Sequence, residues 1–316
     1  MKYRRIPGTN LEVSVLGLGM MGIGSSGWRP WVLDRAAGRE VLATALDRGV
    51  NLFDTSNFYS YGESERVLGE YLRSVGKRES AVIATKVGNR LSNWPNHGGY
   101  SRKHIVAETE ASLDRLKTDY IDLLQTHIWD NDAEIDEVLE TFELLRSQGK
   151  VLYAGFTNLS SDWVRDALEY ERRFGRRIWS TLQLEYNALR DEVAEWAFPI
   201  CTAARKGVLA YGPYARGFLT ESSLMPSKRA KTDNYRHEWY GTEADRIQRD
   251  KLVNSGEGGE VGSVVWAALT SVLDNPTVTS VLVGATDAKQ LDESVCVVDR
   301  WCAESERNGI VETGKR

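Results

Sequence analysis

The stretch YIDLLQTHIWDNDAEIDEVLETFELLRSQGKVLYAGFTN, residues 120–158, identifies the fold class. It begins with an apolar run (120–127), continues through an amphipathic helical pattern (134–149), and returns to a second apolar run (151–158). Runs that are apolar on both faces are typical of strands in a parallel sheet covered by helices. The stretch therefore predicts a strand–helix–strand unit of an α/β fold.

The same alternation continues on both sides of this stretch. The remaining predicted strands are 13–19, 51–55, 81–87, 179–186, 208–214 and 278–285, and the remaining helices are 34–49, 63–75, 101–117, 160–175, 192–207, 261–273 and 287–306. Eight strand–helix units without a reversal are the count of a (β/α)₈ TIM barrel, whereas a doubly wound sheet normally uses fewer strands and ranks second. We therefore predict that residues 1–316 form a single barrel domain, preceded by a short hairpin around Pro7-Gly8.

Two long connections are polar and rich in glycine, over residues 88–100 and 215–260. Both follow strands, so in a barrel they lie at the C-terminal face, where active sites are built. The second is better interpreted as an insertion than as a linker between domains.

The composition narrows the classes of function. The 316 residues are 41% hydrophobic and 27% charged, with a net charge of −5, which is typical of a globular chain and disfavours nucleic-acid binding. No apolar run is long enough to predict a membrane span, and MKYRRIPGTN at the N-terminus has no apolar signal segment. The three cysteines lack metal-site spacing, so we predict no metal. Sparse, irregularly placed cysteines are typical of a reducing compartment, so we also predict a cytoplasmic protein.

Four side chains at or just after predicted strand ends form a coherent chemical set: Asp54, Tyr59, Lys86 and His127. In a barrel these strand ends face one rim. A buried lysine needs a carboxylate partner, and Asp54 is the candidate for Lys86. The lysine ammonium is expected to lower the pKa of the Tyr59 phenol, while His127 positions a substrate carbonyl. Such a set can protonate a carbonyl oxygen as an external hydride arrives, which predicts a nicotinamide or flavin cofactor.

Two other interpretations of the residues remain open at this point. A barrel hydrolase could use Asp54 with a second carboxylate such as Glu185 as an acid–base pair. Residues 17–22 also match GxGxxG after an apolar strand, but the next helix begins only near Asp34, which disfavours a dinucleotide-binding turn of the Rossmann type.

The sequence resembles the aldo-keto reductases over nearly its whole length. The motifs that carry the resemblance are NLFDTSNFYSYGESERVLGEYL, ATKVG, DYIDLLQTH, VLYAGFTN, LQLEYN, LAYGPYARGFLT and VLVGA followed by QLDES, and they occur in this order. The resemblance implies a (β/α)₈ barrel that reduces an aldehyde, ketone or sugar carbonyl with NAD(P)H, or runs the reverse reaction. It places Asp54, Tyr59, Lys86 and His127 on the catalytic tetrad, with Tyr59 as the general acid-base.

The resemblance also implies a set of cofactor-binding residues. These are Asn158 and Gln183 at the nicotinamide carboxamide, Tyr211 stacked on the nicotinamide, Arg216 and Gly217 near the pyrophosphate, and Gly284, Thr286, Gln290, Glu293 and Ser294 at the adenosine end. Many relatives have arginine at the position of Gln290, and Tyr214 and Ser294 also depart from the usual pattern. We therefore expect NADPH, with NADH possible, and only a moderate preference for NADPH.

Four tryptophans lie in loops that open on the predicted catalytic rim: Trp28, Trp31, Trp94 and Trp129. They are expected to line the substrate pocket and to favour an apolar or ring-shaped carbonyl compound. The expected assembly is a monomer or small homo-oligomer. A competing interpretation is a non-catalytic, cofactor-sensing barrel similar to the potassium-channel beta subunits.

Overall fold

The N-terminal segment forms the predicted hairpin. In a computed structural model, which describes residues 1–129, 132–220, 228–255 and 263–307, strand β1 (Tyr3–Arg5) pairs antiparallel with β2 (Glu12–Ser14). Gly8 provides the left-handed turn between them, with φ of 76°. Val13 and Ser14, which we predicted as the start of the first barrel strand, belong to this hairpin instead.

Eight further strands are parallel and close into a barrel, which confirms the predicted fold. They are β3 (Leu16–Gly19), β4 (Leu52–Asp54), β5 (Val82–Val87), β6 (Ile121–Thr126), β7 (Val151–Thr157), β8 (Trp179–Glu185), β9 (Gly207–Tyr211) and β10 (Val278–Val283). Neighbours in sequence are neighbours in the sheet, and β10 closes the ring against β3. The C-terminal ends of all eight strands therefore face the same rim of the barrel.

Helices cover the outside of the barrel. They are α1 (Arg35–Asp47), α2 (Glu63–Ser74), α3 (Arg102–Leu116), α4 (Ile135–Ser147), α5 (Ser161–Phe174), α6 (Val193–Ala204), α10 (Ser263–Leu273) and α11 (Ala288–Arg307). Side-chain caps begin three of them: Asp34 accepts from the backbone of Ala37, Ser101 from that of His104 and Asp287 from that of Gln290. Residues 261 and 262 of the predicted helix 261–273 lie outside the described residues.

The connection over 215–260 is not a loop throughout. Its described part contains a 3₁₀ turn (Ala215–Gly217), two short helices, α7 (Lys228–Thr232) and α8 (Asn234–Trp239), and the longer helix α9 (Glu243–Ser255). Phe218, Leu219 and Tyr240 form a small apolar cluster that holds this insertion together. The prediction of one domain over residues 1–316 stays a prediction, and it includes positions outside the described ranges.

The barrel interior is divided into an apolar lower part and a polar upper part. The lower part consists of Leu52, Val82, Ala84, Leu123, Leu209 and Leu282, and the hairpin residues Ile6 and Val13 close it from below. Apolar packing at the N-terminal end serves stability and leaves the other end for a site. In the part of the chain described here, no helix has both the length and the apolarity to cross a membrane.

Candidate active site

The strand-end residues converge at the floor of a large cavity at the C-terminal end of the barrel. The cavity has a volume of about 1970 Å³, and Asp54, Tyr59 and His127 all contribute to its wall. Lys86 lies beneath them with no exposed surface. Its strand neighbour is Gln125, which is paired with it in the β5–β6 register. Barrel closure thus brings together residues that are distant in the chain.

Lys86 uses all three of its ammonium hydrogens within this cluster. Nζ donates to Asp54 Oδ2, to the Thr55 backbone oxygen at 2.9 Å and to the Tyr59 hydroxyl oxygen at 3.4 Å. Burial lowers the pKa of Lys86, but Asp54 and Tyr59 together outweigh burial and leave that pKa raised. Lys86 is therefore a cation, and the Tyr59 oxygen, which accepts from Lys86, keeps its own hydrogen for donation elsewhere.

Asp54 is held from its other side by two amides. Gln125 Nε2 and Gln183 Nε2 donate to Asp54 Oδ1 at 3.2 and 2.8 Å. Together with Lys86, these donors occupy both carboxylate oxygens of a side chain that is almost fully buried. Asp54 is therefore placed to orient the Lys86 cation. Because both of its oxygens accept hydrogen bonds from buried donors, this arrangement does not favour the acid–base pair with Glu185. Glu185 instead accepts a hydrogen bond from the Tyr240 hydroxyl.

Tyr59 projects from a strained turn. Ser60 and Tyr61 have φ of 51° and 52°, and Gly62 follows at 84°, so three consecutive residues are left-handed. Such conformations cost about 1–3 kcal/mol for each residue other than glycine and persist only when neighbours enforce them. Here the Ser60 hydroxyl accepts from the Ser25 backbone at 3.1 Å, and α2 begins directly after the turn. The strain is concentrated beside the side chain that points into the cavity.

The pKa of Tyr59 differs from our expectation. Burial raises it, and the opposing effect of Lys86 does not compensate, so the pKa of the phenol is above its usual value. The expectation of a lowered pKa is wrong for this structure because sequence spacing shows the neighbouring charge but not the loss of water. Tyr59 is therefore a neutral phenol, the form that can donate a proton.

His127 contacts the hydroxyl of Ser56, a residue that sequence reasoning missed. The Ser56 hydroxyl oxygen accepts from the Phe58 backbone at 3.1 Å and lies 3.0 Å from His127 Nδ1. The Ser56 hydroxyl can donate its own hydrogen to Nδ1, and a neutral ring that accepts at Nδ1 carries its hydrogen on Nε2. Burial, reinforced by the Lys86 charge, places the pKa of His127 well below its usual value, so the ring is a neutral donor.

The comparisons with known proteins identify the family of this chain. The model of the Aldo/keto reductase family matches residues 15–312. The chain belongs to the aldo/keto reductase family. An aldo-keto reductase of Bacillus subtilis (strain 168), YhdN, is 31% identical over 325 residues, covering 99% of this chain and 93% of the relative. The family resemblance in the sequence is thereby confirmed, and membership makes this aldo/keto reductase an oxidoreductase of the class that reduces carbonyl groups.

Two further relatives illustrate the range of the family. The holo form of the aldo-keto reductase AKR11C1 from Bacillus halodurans matches with a TM-score of 0.77 and 29% identity, over 95% of this chain and 91% of that chain. A probable voltage-gated potassium channel subunit beta of Arabidopsis thaliana is 30% identical over 315 residues, covering 95% of this chain and 92% of the relative. The family therefore includes a relative named for a role other than reduction.

The residues that we assigned to a cofactor line the same cavity in this aldo/keto reductase. They are Asn158, Gln183, Tyr211, Arg216, Gly217, Gly284, Thr286, Gln290, Glu293 and Ser294. The Tyr211 hydroxyl donates to Asn158 Oδ1 at 3.1 Å, and Asn158 has a left-handed backbone with φ of 55°. The amide nitrogen of Gln183 is directed to Asp54, as described above, so Gln183 also belongs to the tetrad's hydrogen-bond network.

Several of these polar groups already have protein partners. Arg216 Nη1 donates to Asp233 Oδ2 at 2.9 Å, and Thr286 donates to Gln290 Oε1 through both its backbone and its hydroxyl, each at 3.0 Å. Ser294 donates to the Gln290 backbone oxygen, and its hydroxyl lies 2.8 Å from that of Tyr214. The two departures from the family pattern at 214 and 294 therefore contact each other.

The four tryptophans have different environments. Trp28 and Trp31 line the cavity, and the Trp28 ring centroid lies 6.3 Å from that of Tyr59. Trp94 is 73% exposed, and Trp129 stacks on Tyr100 with centroids 5.1 Å apart. Within the described ranges, neither Trp94 nor Trp129 belongs to the cavity wall.

The glycine-rich segment over residues 17–22 ends β3 and continues along the barrel rim, and it does not form a Rossmann turn. Met20–Gly22 forms a 3₁₀ turn at the rim, and α1 begins only at Arg35. Gly19 belongs to β3 and is paired with Asp54 in the β3–β4 register. These glycines bring the backbone close to the cavity without opening a helix.

Proposed function

We propose that this aldo/keto reductase is an NAD(P)H-dependent enzyme that reduces an aldehyde, ketone or sugar carbonyl to the alcohol, or catalyses the reverse reaction, with Tyr59 as the proton donor. The observation that carries the proposal is the hydrogen-bond pattern of Lys86, which leaves the Tyr59 hydrogen directed away from the cluster. Asp54 keeps Lys86 charged and oriented. The neutral His127 ring presents an Nε2 hydrogen that can hold a carbonyl oxygen near Tyr59.

Features of the cavity fit a nicotinamide cofactor. The Thr157 hydroxyl is buried on the cavity wall and has no hydrogen-bond partner in the described residues. Gly19 and Gly284 lie at adjacent strand ends, and without side chains they allow a ligand to approach the backbone closely. When bound, the cofactor supplies the hydride. We assign its binding to the ten residues named above, with the Tyr211 ring and the Asn158 amide at the nicotinamide end.

We further propose that NADPH is preferred over NADH by a moderate margin. Gln290 replaces the arginine of many relatives, and its side-chain oxygen accepts from Thr286. Lys289 is the nearby cation, but its side chain is 86% exposed and lies 3.8 Å from a Glu293 oxygen. Asp287 caps α11 by accepting from the Gln290 backbone at 2.9 Å, and its carboxylate opposes an added phosphate. A mobile lysine holds phosphate less firmly than the planar fork of arginine.

Replacing Gln290 with Arg is expected to increase the ratio of kcat/KM for NADPH over NADH by about 10-fold, since a charge-assisted hydrogen bond contributes about 1.5 kcal/mol or more. The measurement is steady-state kinetics with each cofactor at a saturating aldehyde concentration. Lys289→Gln is the companion variant and should decrease the ratio slightly. An unchanged ratio in Gln290→Arg would show that the adenosine 2′ position lies elsewhere.

Replacing Ser56 with Ala is expected to decrease kcat/KM for carbonyl reduction by about 5-fold, which corresponds to one neutral hydrogen bond of about 1 kcal/mol. The loss arises because Nδ1 of His127 is no longer given a hydrogen, so the ring is free to adopt the other tautomer. Ser56→Thr keeps the hydroxyl and should retain most of the activity. Equal losses in both variants would mean that Ser56 acts through packing alone.

The proposed function is tested with a panel of aldehydes, ketones and sugars, each with NADPH and NADH, following the loss of reduced cofactor. We expect turnover of at least one class of carbonyl compound and saturable cofactor binding by fluorescence. Binding without turnover of any compound would favour the second candidate function, a cofactor-sensing barrel. That candidate is supported by the similarity to the Arabidopsis channel-subunit relative.

The proposal includes the assembly and the cellular location of the enzyme. We propose a monomer or small homo-oligomer in the cytoplasm that acts on small molecules. All three cysteines lie in described segments and are free thiols, which is consistent with a reducing compartment.

A further inference from the structure

An arginine at the cavity rim contacts aromatic rings but has no hydrogen-bond or ion-pair partner among the described residues. Arg29 follows Trp28 in the connection between β3 and α1, and it lines the same cavity as Tyr59. Within the part of the chain that the structure describes, its guanidinium makes no hydrogen bond or ion pair. It lies over the rings of Trp28 and Tyr235, with its central carbon 4.4 and 5.1 Å from the ring centroids.

The nearest carboxylate is already committed to other arginines. Asp233 Oδ2 accepts from Arg216 Nη1 at 2.9 Å and from Arg229 Nε at 3.0 Å. Arg29, Arg216 and Arg229 all line the cavity. The single negative charge of Asp233 therefore leaves two of their three positive charges uncompensated. Burial lowers the pKa of Arg29, but an arginine remains a cation at neutral pH. This excess of positive charge is available to an anionic ligand.

Aromatic side chains connect this cation to the proposed catalytic residues. The Trp28 ring is close to both groups: its centroid lies 4.4 Å from the central carbon of Arg29 and 6.3 Å from the Tyr59 centroid, and Phe58 packs edge-on against Trp28 at 5.9 Å. The contacts with Trp28 and Tyr235 restrict the guanidinium of Arg29. Less side-chain conformational entropy is therefore lost when its N–H groups bind a ligand. A ligand held at both Tyr59 and Arg29 is therefore also close to the apolar ring of Trp28.

We propose that Arg29 is a specificity-determining residue that selects carbonyl substrates bearing a carboxylate, with an aromatic or other flat apolar part between the two groups. This inference rests on the proposed reductase function. The carbonyl binds at Tyr59 and His127, the flat part lies against Trp28, and the guanidinium pairs with the carboxylate through two parallel hydrogen bonds. Arg216 and Arg229 are not assigned this role, because both donate to Asp233 and Arg216 is already assigned to the cofactor.

The test compares two aldehydes that differ only in charge, 4-carboxybenzaldehyde and its methyl ester, with the wild-type protein and with Arg29→Gln. We expect the wild type to prefer the acid. Arg29→Gln should lower kcat/KM for the acid by about 10–100-fold, the value of one charged hydrogen-bonding contact, and leave the ester nearly unchanged. Arg165→Gln, which removes an exposed arginine of α5, is the matched control and should change neither value.

A binding measurement separates this inference from the reductase proposal. Calorimetry with the alcohol 4-(hydroxymethyl)benzoate and its methyl ester requires no turnover, and Arg29→Gln should weaken binding of the acid alone by the same factor. Equal losses for acid and ester would show that Arg29 serves the cofactor or the fold, and no loss for either would show that it is unused; both overturn the inference. If the wild type binds the acid selectively but reduces no carbonyl compound, the reductase proposal fails and the role of Arg29 in binding stands.

Discussion

The Tyr59→Phe protein is expected to reduce carbonyl compounds about 10²–10⁴-fold more slowly than the wild type, the usual contribution of a positioned general acid. The phenyl ring keeps the packing against Trp28 and His127 but removes the hydrogen that Lys86 leaves free. The affinity for NADPH should be nearly unchanged. Single-turnover kinetics measures the chemical step, and cofactor fluorescence measures binding.

Tyr61→Phe is the matched control for this experiment. Tyr61 lies two residues away in the same left-handed turn, but its side chain is 65% exposed. Its hydroxyl is not part of the Lys86 cluster, so turnover should stay close to that of the wild type. A Tyr59→Phe protein with the single-turnover rate of the wild type would remove Tyr59 from the proposed role.

The second large effect concerns stability. Lys86→Met is expected to lower the free energy of unfolding by about 3–5 kcal/mol, because it leaves the carboxylate of Asp54 buried without its cation. Asp54→Asn should have a similar effect, since it leaves the fully buried ammonium of Lys86 uncompensated. Urea denaturation of the single variants and of the double variant measures the coupling between them.

The double variant should lose less stability than the sum of the single variants, since it leaves neither charge unpaired. Arg172→Met provides the control, because Arg172 forms an exposed ion pair with Glu169 on α5, and such pairs contribute about 0–1 kcal/mol. Strict additivity of Asp54→Asn and Lys86→Met would contradict the coupling that we infer.

The repeating strand and helix pattern was sufficient to predict the barrel, because a parallel sheet buried on both faces leaves a clear apolar signal. It also allowed the four strand-end residues to be placed on one rim. The same pattern did not show where the first barrel strand begins, since Val13 and Ser14 continue the apolar run but pair with β1. Nor did it predict the helices of the insertion, which are short and polar and are stabilised by tertiary contacts.

The finer features of the site depend on three-dimensional burial and orientation. Gln125 faces the barrel interior in the same layer as Lys86, and an alternation analysis of β6 could have identified it. The contact of Ser56 with His127 joins two different loops, so spacing along the chain contains no signal for it. Trp129 follows His127 closely, but its ring turns back onto Tyr100 and Trp163 and not toward the cavity.

The closure of the barrel between β3 and β10 has a consequence for biosynthesis. Gly284 is translated long after Gly19, yet the two strand ends that carry them are hydrogen-bonded neighbours. Contacts so distant in sequence form late and slowly in folding. A nascent chain therefore cannot close the barrel until β10 has been translated, and the cofactor site that we propose is complete only after that step.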